Sequence, residues 1–347
     1  MASDQMPPEP ERREIEAQLA LRLEAPVQLV SFSGRPAARL YWFRAGQHES
    51  TRLVVKVPLA RVGGSSDGDR PRRSPPTPVT RKAMLEFEAL QAAERHFDAL
   101  GDPRFSAVQA VALLEPMQAL VMREARGQPF REAVKRAVLR WRPPRTTLEA
   151  ATLSGAWLRA YHAMPVHDTI EQRLASGAAV AELALELGAF LAAAPYGADA
   201  IELAEATAGI AGTLGPADLP LAVVHGDFAM RNVLVGDGRV AVLDMLGRWH
   251  APAYEDVATM TLALDTVGLG GPAAGVLPRP PAIGPLRRAF LEGYFGDAGR
   301  IPARPLGVLE ALLALERLAA LHARRPVGRL LARGLLRTAR RSLEASA

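Results

Sequence analysis

Among the 347 residues there is no cysteine. Disulfide staples and thiolate metal sites are therefore excluded, and the composition fits a reducing compartment. Lysine is scarce too: of 42 basic residues only Lys56, Lys82 and Lys135 are lysine, the rest arginine. A generic surface cation in this chain is an arginine, so each surviving lysine stands out. Aromatic residues make up 5%, and no basic stretch interleaved with aromatic rings is present, which argues against a nucleic-acid-stacking surface. No apolar run approaches the ~20 residues of a membrane span. The acidic, proline-bearing opening MASDQMPPEPERREIEAQLA lacks the pattern of a secretory signal. The chain is expected to be cytoplasmic.

What is present is the composition of a globular protein, 49% apolar and 23% charged, at a length that suits one or two domains. The net charge of +5 reflects an arginine bias of the whole chain rather than one patch. Residues 1–12 are expected to be disordered. A helix over 13–23 precedes a hairpin, Val27–Phe32 and Ala38–Arg44, and a third strand at 52–57. The Gly/Ser/Pro/Arg-rich stretch 61–80 reads as a flexible insertion, followed by a helix from Arg81 to about Asp98. Residues 106–114 and 118–123 read as two further strands. The β-rich part, 13–127, then gives way to a mostly helical part, 128–347, with Gly/Pro-rich 268–285 as a loop or lid.

The chemistry concentrates in 221–256, LAVVHGDFAMRNVLVGDGRVAVLDMLGRWHAPAYED. LAVV, NVLV and RVAVL are short apolar strands, and Asp237-Gly238 signals a two-residue hairpin turn. That turn sets Gly236 opposite residue 239, Val235 opposite Val240 and Asn232 opposite Leu243, so Asn232 lies beside Asp244. Asp227 sits in the loop feeding the same strand, five residues before Asn232. Two carboxylates and a carboxamide at one end of a hairpin suit a hard divalent cation such as Mg²⁺.

Two residues far upstream are singled out by burial. Lys56 lies inside the apolar run RLVVKV, where an ammonium needs a partner or a use. Glu86 falls on the face of its helix shared with Leu90, Ala93 and Phe97, while Glu88 points away. Lys56 and Glu86 are each other's candidate partners. His162 reads as a packed structural histidine. In the last stretch, arginines 329, 333, 337, 340 and 341 alternate with leucines at helical spacing. Such a helix either lies on an anionic membrane surface or packs its leucines on the domain, and the second reading is the expected one.

HGDFAMRN, the LD at 243–244 and the following YEDVA resemble the signature of the aminoglycoside phosphotransferase and choline kinase-like family. The resemblance implies an α+β, two-lobed protein-kinase-like fold with a small β-rich N-terminal lobe and a larger, mostly helical C-terminal lobe. It implies a phosphotransferase that moves the γ-phosphate of ATP or GTP to a hydroxyl of a small molecule with Mg²⁺. By the same likeness, Asp227 is the catalytic base and Asn232 and Asp244 are the metal ligands. Lys56 touches the phosphates and is fixed by Glu86. His225 and Asp256 support the catalytic loop, and Gly247 matches a family glycine. SFSGRPAAR, with the single glycine Gly34, stands where the phosphate-covering loop belongs. LVMREARGQPF is similar to the interlobe hinge, so the backbone around Met122 and Glu124 meets the purine edge.

Two other classes are weighed. A catalytically silent scaffold predicts loss of at least one of Lys56, Asp227, Asn232 or Asp244, and all four are present. A kinase acting on protein needs an activation segment, whereas 245–256 leads straight into YEDVA. The acceptor is expected to be an aminoglycoside, sugar or amino alcohol, or else an anionic or lipid-linked compound. A cationic acceptor draws on the acidic run Asp168, Glu171, Glu182, Glu186, Asp199, Glu202 and Glu205. An anionic one draws on the basic C-terminus.

Overall fold

The structure is a computed structural model that describes residues 7–35, 37–46, 51–59, 70–73, 78–140, 142–166, 170–247, 249–267, 280–296, 300–323 and 329–345. The first element corrects the expectation of disorder through residue 12: helix α1 spans Glu9–Leu23. Glu9 and Glu11 complement the helix N-terminus, and Glu11 also takes the Arg39 guanidinium and the Tyr41 hydroxyl. Ile15 and Leu19 are buried against the sheet.

That sheet holds β1 (Val27–Arg35), β2 (Ala38–Ala45), β3 (Thr51–Pro58), β5 (Ala110–Leu114) and β6 (Ala119–Arg123) in the order β1-β2-β3-β6-β5, all antiparallel. Alternation along β3 sends Leu53, Val55 and Val57 to the face covered by α1, and Val54 to the other face, against the main core. Lys56 shares that second face. Helix α2 (Val79–Leu100) buries Ala83, Glu86, Leu90, Ala93 and Phe97 in one stripe, which brings Glu86 to Lys56. Of the stretch 61–80 expected to be a flexible insertion, 61–69 and 74–77 lie outside the described residues. Residues 70–73 are placed, and Val79 already opens α2.

The expected strand 106–114 is two strands. β4 (Phe105–Ala107) runs parallel to β11, and only after Val108 and Gln109 does the chain join the first sheet as β5. Val108 is buried in the core between the two sheets, so one continuous ladder would have taken it out of that core. The second sheet is ordered β4-β11-β10-β7, with β7 (Gln128–Pro129), β10 (Val233–Gly236) and β11 (Arg239–Val242). The β10/β11 register is Gly236↔Arg239, Val235↔Val240 and Val233↔Val242, the pairing read from the turn. Asp237 and Gly238 both have positive φ (48° and 69°), as a tight two-residue hairpin requires.

A third sheet, β8-β12-β9, joins β8 (Glu171–Gln172), β9 (Leu221–Val224) and β12 (Trp249–Pro252). β8, β9 and β12 set a small sheet inside the part expected to be mostly helical, 128–347. The helical path of that part also stops at Pro143-Pro144, between α3 (Phe130–Val138) and α4 (Arg145–His162), because proline cannot continue a helix but suits its first turn. Then follow α5 (Gly177–Leu191), α6 (Gly197–Ala211), α7 (Tyr254–Asp265), α8 (Ile283–Phe295), α9 (Ala303–His322) and α10 (Arg329–Glu344). Helix α9 is apolar nearly all round and is the axis of this part. Of the 268–285 loop, 268–279 lie outside the described residues.

Helix α10 buries Ala332, Leu335, Leu336, Ala339 and Leu343, while Arg340 pairs with Asp199 and Glu202 of α6. This is the domain-packed reading. It also shows where two members of the acidic run go: their carboxylates face the C-terminal helix. No helix among the described residues is long and apolar enough to cross a membrane.

Candidate active site

The loop between β9 and β10 is built around a buried carboxylate. Asp256, near the start of α7, accepts from the His225 amide at 2.6 Å and the Gly226 amide at 2.9 Å. Its Oδ2 also receives the His162 ring at 3.2 Å, and the other ring nitrogen of His162 meets Tyr294 at 2.8 Å. Burial opposes the charge on Asp256, but these bonds prevail and hold its pKa below the usual carboxylate value. His225 is locked from both sides. Its Nε2 donates to the Leu243 carbonyl at 2.9 Å, and its Nδ1 accepts from the Asp227 amide at 3.2 Å, which sets the tautomer. Asp256, His162 and His225 thus form one hydrogen-bonded chain beneath the backbone that leads into Asp227.

Asp227 and Asn232 meet directly. The Asn232 amide Nδ2 donates to the Asp227 carbonyl at 2.9 Å and to Oδ2 at 3.1 Å. That leaves Asn232 Oδ1 without a hydrogen bond among the described residues. The loop also turns on itself through Ala229 and Asn232 amides bonded to the Asp227 and Ala229 carbonyls, each at 2.8 Å. Arg231, four residues on, grips both carboxylate oxygens of Asp227 at 2.6 and 2.5 Å. Arg231 has no sequence signal of its own beyond that spacing.

Lys56 is the second centre. Its ammonium lies 2.8 and 2.6 Å from the two Glu86 oxygens, the expected pair. It also lies 2.6 Å from Asp244 Oδ1, a contact not foreseen from the sequence. Burial works against the ammonium, yet the two carboxylates raise its pKa above that of an ordinary lysine. Glu86 is pushed up, because burial outweighs the pull of Lys56, while Asp244, half exposed, is drawn down by Lys56 against the burial that raises it. The positive φ of Asp244 (58°) turns its side chain out of the ladder. Asp244 and Asn232 are therefore linked through the Leu243 amide on the Asn232 carbonyl (2.7 Å), not side chain to side chain. No group of three or more His, Asp or Glu fit to hold a metal forms among the described residues. The oxygens left over, Asn232 Oδ1 and Asp244 Oδ2, are hard donors, and two protein oxygens completed by phosphates and water are a normal Mg²⁺ shell. The donor set fits that ion.

Other expected positions stand as follows. Gly247 has φ 51°, and a Cβ there would lie 2.7 Å from that of Ala89 on α2. Gly34 is exposed in β1, paired with Arg39 next to the hairpin turn. The main chain of Met122 is taken up by pairing with Val54 and Ala110, and the Glu124 amide donates to the Arg52 carbonyl at 2.9 Å. Neither has a main-chain donor to spare, whereas the amides of Ala125 and Arg126 have no acceptor among the described residues.

Beside Asp227 opens a cavity of ≈ 780 Å³ walled by α3, α7 and α9. Arg73 closes one side. It forms ion pairs with Glu255 of α7 and, at 2.5 Å, with Glu316 of α9. Glu255 is fully buried and also takes Arg173 at 2.5 Å, whose guanidinium lies over the Trp249 ring. Nothing in the proline-rich sequence around Arg73 announces this contact.

Residues 32–306 match the phosphotransferase enzyme family APH. Glucosamine kinase of Streptacidiphilus jiangxiensis is 34% identical over 103 residues, a match covering 26% of this chain and 24% of that protein. The chain thus spans about a quarter of the curated relative. Among solved structures, a choline/ethanolamine kinase family protein from Mesorhizobium loti superposes with a TM-score of 0.55 at 16% identity, covering 96% of this chain and 95% of that one. Spectinomycin phosphotransferase in complex with ADP and spectinomycin gives 0.55 at 13% identity, covering 94% and 93%. With a β-sheet N-terminal region, a mostly helical remainder, a strand lysine in contact with the end of the hairpin that follows the HGD loop, and the family's pattern matched over residues 32–306, the chain belongs to the APH phosphotransferase family.

Proposed function

We propose that this chain transfers the γ-phosphate of ATP or GTP to a hydroxyl of a small molecule, with Mg²⁺ as the metal. The observation that carries the reading is Lys56, held at once by Glu86 and by Asp244 at the end of the hairpin that also bears Asn232. A buried cation between two carboxylates costs desolvation that an apolar residue would avoid, so its retention fits a group that is used.

Phosphoryl transfer needs positioning and charge neutralisation more than covalent chemistry. Lys56 meets the α- and β-phosphates, with Glu86 fixing its ammonium. Asn232 Oδ1 and Asp244 Oδ2 hold Mg²⁺, which when bound neutralises the phosphate oxygens. The turn beside Gly34 covers the triphosphate, and the amides of Ala125 and Arg126 face the purine edge. Asp227 orients the acceptor hydroxyl and takes its proton, which leaves late in a loose transition state. Relatives named for glucosamine and spectinomycin support a small hydroxyl compound as acceptor.

Release of ADP or GDP over a panel of hydroxyl acceptors tests this. Asp227→Asn should lower turnover by roughly 10²–10⁴-fold, the usual contribution of a positioned base. Mg²⁺-dependent stabilisation by ATP or GTP should persist in that variant. Normal turnover by Asp227→Asn, or a wild-type melting temperature that neither nucleotide moves, would overturn the reading.

A further inference from the structure

Among the described residues, the cavity beside Asp227 carries six basic side chains, Arg70, Arg73, Arg131, Lys135, Arg231 and Arg317, against two carboxylates, Asp227 and Glu316. Several are neutralised within the protein: Arg73 by Glu255 and Glu316, Lys135 by Glu132, Arg231 by Asp227. Two are not. Arg131, at the start of α3, has no ion-pair partner among the described residues. Arg317 of α9 donates to the Thr266 hydroxyl at 2.9 Å, and no carboxylate among the described residues reaches it. Loss of surrounding water and repulsion from Arg231 both press its pKa down. Two guanidinium groups thus line one cavity without an ion pair to any carboxylate among the described residues.

These cations are not the nucleotide's. Lys56, Glu86, Asn232 and Asp244 are absent from the cavity lining, which runs instead along α3, α7 and α9 on the far side of Asp227. That is where an acceptor must sit for its hydroxyl to reach Asp227. The rest of the wall is apolar, with Leu262, Val267 and Leu313, apart from the Thr259 and Thr266 hydroxyls. Asp168 lies outside the described residues, and none of the other members of the acidic run, Glu171, Glu182, Glu186, Asp199, Glu202 and Glu205, is among the described residues that line this cavity. Two of the run's carboxylates, Asp199 and Glu202, are spent on Arg340.

We propose that the acceptor is an anionic hydroxyl compound whose phosphate or carboxylate group is seated by Arg317 and Arg131, with its hydroxyl turned to Asp227. This rests on the phosphotransferase reading for the identity of the cavity, and its test uses binding alone, so the two can fail separately. Calorimetric titration in the presence of ADP and Mg²⁺ compares glucose and glucosamine with glucose 6-phosphate, gluconate and inorganic phosphate. At least one anionic probe should bind tenfold or more tightly than both glucose and glucosamine, as uncompensated cations in a cleft would produce. Glucose 6-phosphate against gluconate tells a phosphate seat from a carboxylate seat. Arg317→Glu should abolish the preference, and Arg317→Gln, polar but uncharged, should reduce it severalfold while the melting curve shows the fold intact. Glucosamine binding as well as the best anion would overturn the proposal. So would no anionic probe binding at about 10 mM, the weakest range such titration reads, or a preference unmoved by both substitutions. Loss of turnover in Asp227→Asn alongside any of those results would leave the phosphotransferase reading standing and remove only the anionic acceptor.

Discussion

Asp256 shows how much a single buried residue can organise. Its carboxylate satisfies the amides of His225 and Gly226 and meets the His162 ring, so the backbone leading into Asp227 hangs from it. Asp256→Ala strands two buried amides, each at about 1–3 kcal/mol. Urea denaturation should show a loss of that order together with loss of turnover, although Asp256 touches neither reactant. The effect is also pH-dependent. A carboxylate with a folded pKa below the unfolded value, about 3.9, contributes stability that is complete above that value and is lost as pH falls through the folded pKa. Denaturation between pH 3 and 6 should show wild type losing stability below about pH 4, and Asp256→Asn losing less over the same interval. Glu255, raised by burial, works in the opposite sense, which is why the variant comparison and not the wild-type curve isolates Asp256.

At the scale of elements, helices α4 and α8 approach so closely that glycine is required where they touch. A Cβ on Gly155 would lie 2.1 Å from the Phe290 carbonyl oxygen, and one on Gly293 would lie 2.0 Å from that of Thr152. Both obstacles are backbone, so the helices themselves would have to part. Gly293→Ala should destabilise by about 1–3 kcal/mol or more, the cost of overpacking. Gly209 is a matched control: it is exposed on α6, and a methyl group added there would have nothing within 4 Å. Gly209→Ala should be neutral or stabilise by up to about 1 kcal/mol. Thermal melting of the two variants decides the point, and equal behaviour would show that the close approach is not needed. The same helix α4 carries Trp157 and Tyr161, whose rings stack at 5.3 Å, and Trp157 stacks in turn on Phe228 of the HGD loop, so a shift of α4 would reach the loop.

Across the whole molecule, the ionic ties that join the β-rich part to the helical part include Lys56 to Asp244, and Arg73 to Glu255 and Glu316. The second is the more buried. Removing Arg73 leaves Glu316 without its partner and Glu255 with Arg173 alone, and breaking a buried ion pair from one side typically costs about 3–5 kcal/mol. Arg73→Ala should therefore lower the melting temperature, and adding Glu316→Gln should recover part of the loss by removing the stranded charge. If the double variant is no better than the single one, Arg73 contributes through packing and not through charge.

Local rules reached far in this chain. The hairpin register followed from Asp237-Gly238, because a two-residue turn with both φ values positive admits one pairing, and this placed Asn232 opposite Leu243. The apolar run around Lys56 and the 3.6-residue periodicity around Glu86 marked each as a buried charge in need of a partner, since each pattern is a property of its own backbone; that the two meet is seen in the structure. What those patterns cannot supply is which separate segments meet. The split of 105–114 between two sheets depends on β11, more than a hundred residues later. The second partner of Lys56 depends on the left-handed turn at Asp244. The charge of the cavity beside Asp227 depends on Arg131, Arg231 and Arg317 arriving from two helices and a loop that no short-range pattern connects. The sequence by itself determined the hairpin that gathers Asp227, Asn232 and Asp244, because that spacing is local, and it carried the motifs whose likeness points to a phosphotransferase. Only the tertiary structure decided the charge of the cavity beside Asp227, because net charge in a cavity is a sum over groups brought together by packing.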